Sequence, residues 1–279
     1  MEKNKAVRVF AEEIRVETLK EFAALGFGHV GGAMSVVETL AVLYGGEMRI
    51  NPQNPQWPER DRLVMSKGHA GPALYATLAL KGYFPPEVLK TLNQGGTTLP
   101  SHCDRLKTPG VDMTTGSLGQ GISLACGLAL GNRIQGRGSY TYLVLGDGEC
   151  NEGQVWEGAM FAAHFKLSHL IGFVDLNKQQ LDGSTKDVMD MGDMVDKFES
   201  FGWLTKKVNG HNVDEILDAI HAGKAQDEKP VMIILDTVKG NGCEFALQKF
   251  PNHHIAFKPE EIAPSIEKAE AVLAQVKGE

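Results

Sequence analysis

The sequence is short of several things at once, and each shortage narrows what it can be. Only four cysteines occur in 279 residues, Cys103, Cys126, Cys150 and Cys243. Their spacing has no metal-like pairing, and four are too few for a disulfide framework in a chain this long. Reduced thiols and a cytoplasmic location are therefore expected. No apolar run approaches the ~20 residues of a membrane span. The opening MEKNKAVRVFAEEIRVETLK is an amphipathic charged pattern, not the apolar core and cleavage site of a leader. Basic residues are outnumbered and scattered: Lys and Arg total 28 against 35 Asp and Glu, a net charge of -7. That argues against a nucleic-acid or anionic-membrane surface but is compatible with a small phosphorylated ligand. No Pro/Gly/Ser linker, repeat or low-complexity tract divides the chain, so one domain over residues 1–279 is expected, long enough to bury a substantial core.

What is present alternates between two periodicities. Residues 7–25 place Val9, Ile14, Val16, Leu19 and Phe22 among charges at roughly helical spacing, and 33–45 and 70–82 read as further helices. GSLGQGISLACGLALGNRI, residues 116–134, reads as a turn leading into an apolar helix whose small residues imply close packing on both sides. Three near-continuous apolar runs, YTYLVLG (140–146), LIGFVDL (170–176) and VMIILDT (231–237), read as strands buried on both faces. Helical stretches near 155–167, 190–200 and 212–224 lie between them. The fold class is α/β, with a parallel sheet flanked by helices.

In such sheets ligands bind where strands end at their carboxyl termini. Asp147 sits just past one strand end between Gly146 and Gly148, and Asn177 just past the next. About 26 residues separate GDG from DLN, room for one crossover helix and one strand, which brings both ends to the same edge. A carboxylate, an amide oxygen and a backbone carbonyl, completed by water or phosphate oxygens, form the hard-oxygen shell that Mg²⁺ prefers. The glycines permit close backbone approach, and the helix that follows directs its positive end at an anion. A Mg-diphosphate site is the reading of these residues. A lone GDG is also common at ordinary strand-to-turn junctions, so the spacing to Asn177 carries the weight.

Here the chain resembles a known family. GDGECNEGQVWEGAMFAAHFKLSHLIGFVDLNK is similar to the thiamine diphosphate motif, and LGFGHVGGAMSVVE, RLVMSKGHAGPALYATLALKGY and SHCDRLKTPGVDMTTGSLGQGIS resemble transketolase in detail. The resemblance covers nearly the whole chain and implies the thiamine diphosphate-binding (PP-type) fold. It implies thiamine diphosphate and Mg²⁺ as cofactors, with Ca²⁺ or Mn²⁺ able to substitute. Asp147 and Asn177 would ligate the metal through side chains and Gln179 through its main-chain oxygen, while Gly148 and Asn177 touch the diphosphate. His69 matches a histidine near the diphosphate, and Gly116, Ser117 and Leu118 match the segment along the aminopyrimidine. His29 and His102 match histidines facing the sugar. His253 is preferred by ungapped spacing to His254 for a further histidine near diphosphate and substrate. Glu152 resembles a subunit-interface glutamate. Family members often have proline at the positions of Ser117 and Val30, and neither change removes a reactive group.

Ketol transfer needs protons moved on and off sugar oxygens near neutral pH, which suits imidazole. A complete transketolase carries pyrimidine-binding and C-terminal domains beyond this region. The chain therefore resembles the N-terminal subunit of a split transketolase, with a partner chain carrying the pyrimidine domain and an α₂β₂ heterotetramer as the expected assembly. The surface at Gly116–Ile134 and Glu152–Phe165 is expected to be covered there, and the isolated chain is expected to lack ketol-transfer activity. The alternatives are the α chain of a 2-oxo acid dehydrogenase, a deoxyxylulose-phosphate synthase and a noncatalytic scaffold. SKGHAG and TTGSLGQG argue against the dehydrogenase, and retention of Asp147, Asn177 and the histidines argues against the scaffold.

Overall fold

In a computed structural model, residues 2–181 and 183–279 are described. Five parallel strands form the central sheet: β1 (Arg62–Met65), β2 (Thr141–Gly146), β3 (Leu170–Leu176), β4 (Leu204–Asn209) and β5 (Val231–Asp236), in the order β1-β2-β3-β5-β4. Along β2, Tyr142 and Val144 face one hydrophobic layer while Leu143 and Leu145 face the other. Leu170 and Val174 face one layer and Ile171 and Phe173 the other along β3. The period-2 alternation of a strand with apolar cover on both sides explains why these runs are apolar throughout.

One layer holds α1 (Glu2–Leu25), α2 (Gly71–Leu80), α5 (Val213–Lys224) and α6 (Pro259–Gly278), and the other holds α3 (Gln120–Ile134) and α4 (Gly153–His164). In α1, Val7, Ala11, Ile14, Thr18 and Phe22 recur at three- and four-residue steps and are all buried, which makes the helix amphipathic toward the core. Between α3 and α4 the close approach is made at Gly158 of α4, where a Cβ would come within 2.7 Å of Ile122, whereas Gly127 and Gly131 of α3 face open space, so the close packing expected on both sides of α3 holds on one. A Cβ at Gly121 would come within 2.1 Å of the Ser66 hydroxyl and 2.9 Å of the Ser66 Cα, so α3 lies directly on the end of β1.

The sequence-based elements hold with three adjustments. The expected helix at 33–45 is interrupted: Val30–Met34 and Val37–Val42 are α-helical and Leu43–Glu47 forms a wider turn, with Gly46 at φ 153°. Strands β1 and β4 add to the three that the apolar runs predict. β1 has four residues, and β4 (LTKKVN) lies at the sheet edge, where its lysines face solvent in place of a second apolar face. The closing helix α6, which packs along α1, is a further addition.

A short antiparallel pairing of Phe27–Gly28 with Ile255–Ala256 has consequences beyond its size. It places His29 and the His253–His254 pair side by side although more than two hundred residues separate them.

Candidate active site

β2 and β3 are adjacent, with Gly146 opposite Asp175, so Asp147 and the Asn177 turn emerge at the same edge. The Asp147 carboxylate accepts from the backbone N–H of Gly148 at 2.8 Å and of Lys178 at 2.6 Å. Burial, and then the nearby Asp175 carboxylate, push the Asp147 pKa up to about 7. The Asn177 amide group donates to Asp175 at 2.8 Å, and its carbonyl oxygen accepts from the Gln179 N–H at 3.1 Å. Its orientation is thus fixed from both ends.

Asp175 is the hub beneath these groups. It is fully buried and accepts from Lys67, Ser35, Thr237 and Asn177. Burial would raise its pKa, but the Lys67 ammonium and the hydroxyl donors outweigh it and hold the carboxyl below its ordinary value. Glu149 performs a similar office on the other side. Its carboxylate accepts from the Ser66 hydroxyl and from the backbone N–H groups of Gly119 and Gly146, at 2.9 and 3.0 Å. Three separate segments, around SKGHAG, GSLGQ and GDG, are tied together by this one side chain.

A cavity of about 240 Å³ opens above this platform. Asp147, Gly148, Asn177 and Gln179 line it, together with His69, Leu118, Glu152 and His253. Lys67, Glu149, Asn151, Gln180 and Lys239 also line it, beyond the residues that the sequence singles out. Lys67 stands inside the SKGHAG motif and Asp175 two residues before Asn177, so proximity to motifs was the available signal for them. Lys239, in VKGNG, carried none.

Beside the cavity the histidines gather. The His29 ring lies 5.4 Å from His69, 5.4 Å from His102, 5.1 Å from His253 and 4.8 Å from His254, and His69 lies 4.8 Å from His253. His253 faces the cavity and contacts Lys239, with Nζ and Nδ1 3.3 Å apart, whereas His254 packs between His29 and Phe27. Burial first, and then His253 and its neighbours, lower the His29 pKa to about 3. Burial and then Lys239 lower that of His253 to about 4. His69 is lowered by burial and Lys67, and His102 by burial. These rings are neutral near pH 7, each able to accept a proton at one nitrogen and donate from the other. Lys239 is itself lowered to about 8, by burial and then by Lys67.

Gly116 and Ser117 do not line the cavity, and Ser117 is exposed. Gly116, at φ 131°, packs on His102, and a Cβ at Gly68 would meet its backbone nitrogen at 2.7 Å. Both glycines are required by this close crossing. Glu152 is exposed and lies against Gly119, whose φ of 83° lets the chain turn into α3.

The donors at the sheet edge fit a hard cation bound with a phosphate group. Among the described residues, no three His, Cys, Asp or Glu side chains converge as a metal site. At the edge the Asp147 carboxylate and the Asn177 amide oxygen are side-chain oxygens that leave positions for exogenous oxygens, as Mg²⁺ coordination requires.

An α/β sheet with a carboxylate and amide at adjacent strand ends, and two lysines and neutral imidazoles beside them, is the arrangement of a protein that holds a phosphorylated cofactor at its sheet edge. Residues 6–270 match the family described as transketolase, thiamine diphosphate binding domain, and the chain belongs to that family. Among relatives, it is 53% identical over 250 residues to the 6-deoxy-6-sulfo-D-fructose transketolase subunit SqwG of Clostridium sp. strain MSTE9, covering 90% of this chain and 91% of that one. It is 37% identical over 218 residues to an apulose-4-phosphate transketolase subunit from Phocaeicola vulgatus, covering 78% and 77%. The Pichia stipitis transketolase solved in complex with sedoheptulose-7-phosphate superposes with a TM-score of 0.85 at 29% identity, covering 99% of this chain and 46% of that one.

Proposed function

We propose that this chain is the cofactor-holding N-terminal subunit of a two-chain transketolase. In this reading, residues 1–279 act as one domain in the cytoplasm, and a second chain carries the pyrimidine-binding domain. The observation that carries it is the convergence of Asp147, Asn177 and Gln179 with His69 and His253 on one cavity, beside His29 and His102. Two relatives named as transketolase subunits align along most of their own length, which supports the two-chain reading.

Asp147 and Asn177 would hold Mg²⁺ through side chains and Gln179 through its carbonyl, while Gly148 and Asn177 meet the diphosphate. Thiamine diphosphate, when bound, supplies an electron sink for breaking and making the carbon–carbon bond next to a ketone. The chain's own part is to orient and to move protons. Asp175 fixes the Asn177 amide, and Lys67 and Lys239 place positive charge beside the diphosphate position. His29, His102 and His253, neutral and within a few ångströms of one another, would exchange protons with sugar hydroxyls. His253 is preferred to His254 because it faces the cavity.

Leu118, Ile134, Met160, Phe161 and Phe165 are exposed along α3, α4 and their ends, an apolar surface suited to the core of an α₂β₂ heterotetramer. Glu152 would lie at that interface. The donor we propose first is a six-carbon sulfonated ketose, after the relative at 53% identity. The experiment mixes this chain with its pyrimidine-domain partner and assays two-carbon transfer from 6-deoxy-6-sulfofructose and from xylulose 5-phosphate. Turnover by the mixture and not by this chain alone is expected. Turnover by the chain alone, or none from any ketose by the mixture, overturns the reading.

A further inference from the structure

The turn that carries Lys239 into the cofactor cavity is gripped from several sides, and two of the grips lead back to one buried ion pair. Lys239 is 3% exposed, lines the cavity and stands 3.3 Å from Nδ1 of His253. It lies in residues 238–242, just after β5, a turn whose Gly240 and Gly242 stand at φ 88° and 80°, where a side chain would be strained. The Gly240 N–H donates to the Gly31 carbonyl at 3.0 Å, and the Asn252 amide donates to the Lys239 carbonyl at 3.4 Å. These contacts tie the turn to the segments that bear His29 and His253.

The other grips come from residues outside the cavity. Arg15, on α1, donates to the Asn241 carbonyl at 2.7 Å and to the carboxylate of Glu38, in the helix Val37–Val42. A Cβ at Gly242 would come within 2.6 Å of the Arg15 Cδ, so the turn lies directly on that side chain. The other Glu38 oxygen lies 3.2 Å from Nδ1 of His211, which follows β4, and the Asn241 amide closes on the same nitrogen at 3.1 Å. Nε2 of His211 accepts from the Val238 N–H at 2.9 Å. A backbone N–H can only donate, so Nε2 carries the lone pair and Nδ1 the proton, which Glu38 accepts. Burial would raise the Glu38 pKa, but Arg15 and then His211 outweigh it and hold the carboxyl below its ordinary value. Glu38 thus fixes the tautomer of His211, and His211 and Arg15 hold the turn at its two ends. Arg15 and Glu38 are both buried, and a buried ion pair adds little stability over apolar packing, so orientation is the better account of them.

We propose that His211, oriented by Glu38 and Arg15, is a positioning residue that holds Lys239 against the cofactor diphosphate and beside His253. The inference rests on the function proposed above, since it takes the diphosphate to lie at that cavity.

The test is a double-mutant cycle in the complex of this chain with its pyrimidine-domain partner, read by calorimetric titration of thiamine diphosphate with Mg²⁺. Lys239→Met should weaken binding by about tenfold or more. His211→Leu should weaken it by about tenfold in the parent chain and by less than about twofold in the Lys239→Met background, because its effect passes through Lys239. His211→Gln, whose amide oxygen can still accept from the Val238 N–H, should bind within about threefold of the parent. Hydrogen exchange in His211→Leu should quicken at the amides of residues 238–242 and stay unchanged along β2 and β3, which separates a loosened turn from a loosened fold. Parent-like binding by His211→Leu where Lys239→Met binds weakly, losses that multiply in the double variant, no rescue by His211→Gln, or faster exchange across the whole sheet would overturn the positioning role alone. Parent-like binding by Lys239→Met would overturn the placement of the diphosphate and this inference with it.

Discussion

The two ends of one parallel sheet differ in how they treat charge. At the carboxyl end, Asp175, Lys67, Glu149 and Asp147 are buried and bound into a network reaching Ser35, Ser66, Thr237 and three loops. At the amino end the buried carboxylates pair outward with flanking arginines instead of joining one network: Asp61 accepts from the backbone of Arg49 and Tyr140, Asp112 accepts from the Leu63 N–H and pairs with Arg60, and the Thr141 N–H donates to the His169 carbonyl. A core built only for stability does better with apolar groups than with buried ion pairs. Retaining Asp175 and Lys67 there makes sense if their task is orientation, because together they fix Asn177 and frame the cavity.

The contrast breaks most readily at Asp147. Asp147→Asn removes the one carboxylate of the proposed metal shell and should weaken binding of Mg²⁺ with thiamine diphosphate by more than about 100-fold, read by calorimetry. Asp175→Ala should act on folding as well, since it leaves the Lys67 ammonium buried without its partner. A loss of about 3–5 kcal/mol in denaturant unfolding is expected, and a loss below 1 kcal/mol or so would mean that Lys67 finds another partner.

A third substitution sharpens the comparison with the hydrophobic layer behind the sheet. Glu21, on α1, is buried with both carboxylate oxygens unpaired, and burial followed by Glu17 raises its pKa well above the ordinary value. Because the folded-state pKa is the higher one, its contribution is most favourable below the unfolded value of ~4.3 and is lost as pH rises toward the folded value. Glu21→Leu should therefore stabilise the chain at neutral pH, by about 1–3 kcal/mol. The gain should shrink on acidification, which thermal melts across pH would detect.

A further effect concerns the histidines. His29 and His253 titrate at about 3 and 4 when folded, against ~6.5 unfolded. Their contribution is fully present above about pH 6.5 and is lost as pH falls toward 4 and below, because the unfolded chain takes up the protons first. A His29→Gln/His253→Gln variant should lose stability less steeply than the parent chain between those limits, and an unchanged slope would mean that other groups govern the acid limb.

Much of the carboxyl-end site was legible because its parts lie in short motifs whose spacing matches one βαβ unit. Asp147 and Asn177 could be paired from the length of the crossover alone. The three long apolar strands were legible for a related reason, since burial on both faces leaves a continuous run. The edge strand β4 was hidden because one exposed side lets lysines into it, and β1 because four residues are too few to show a period. Lys239 reaches the cavity only through the turn after β5, and the meeting of His29 with His253 depends on the pairing of Phe27–Gly28 with Ile255–Ala256. Contacts so distant in sequence leave no local pattern. Asp175 was visible as a strand residue, but its role as hub depends on Ser35, Lys67 and Thr237 arriving from three other segments.

The most direct measurement is calorimetric titration of thiamine diphosphate with Mg²⁺ into this chain, alone and then mixed with a pyrimidine-domain partner. Tight binding in the mixture, weaker binding to the chain alone and loss of both on Asp147→Asn is the predicted result. Absence of binding in both, or binding that Asp147→Asn leaves unchanged, would contradict the cofactor-holding role.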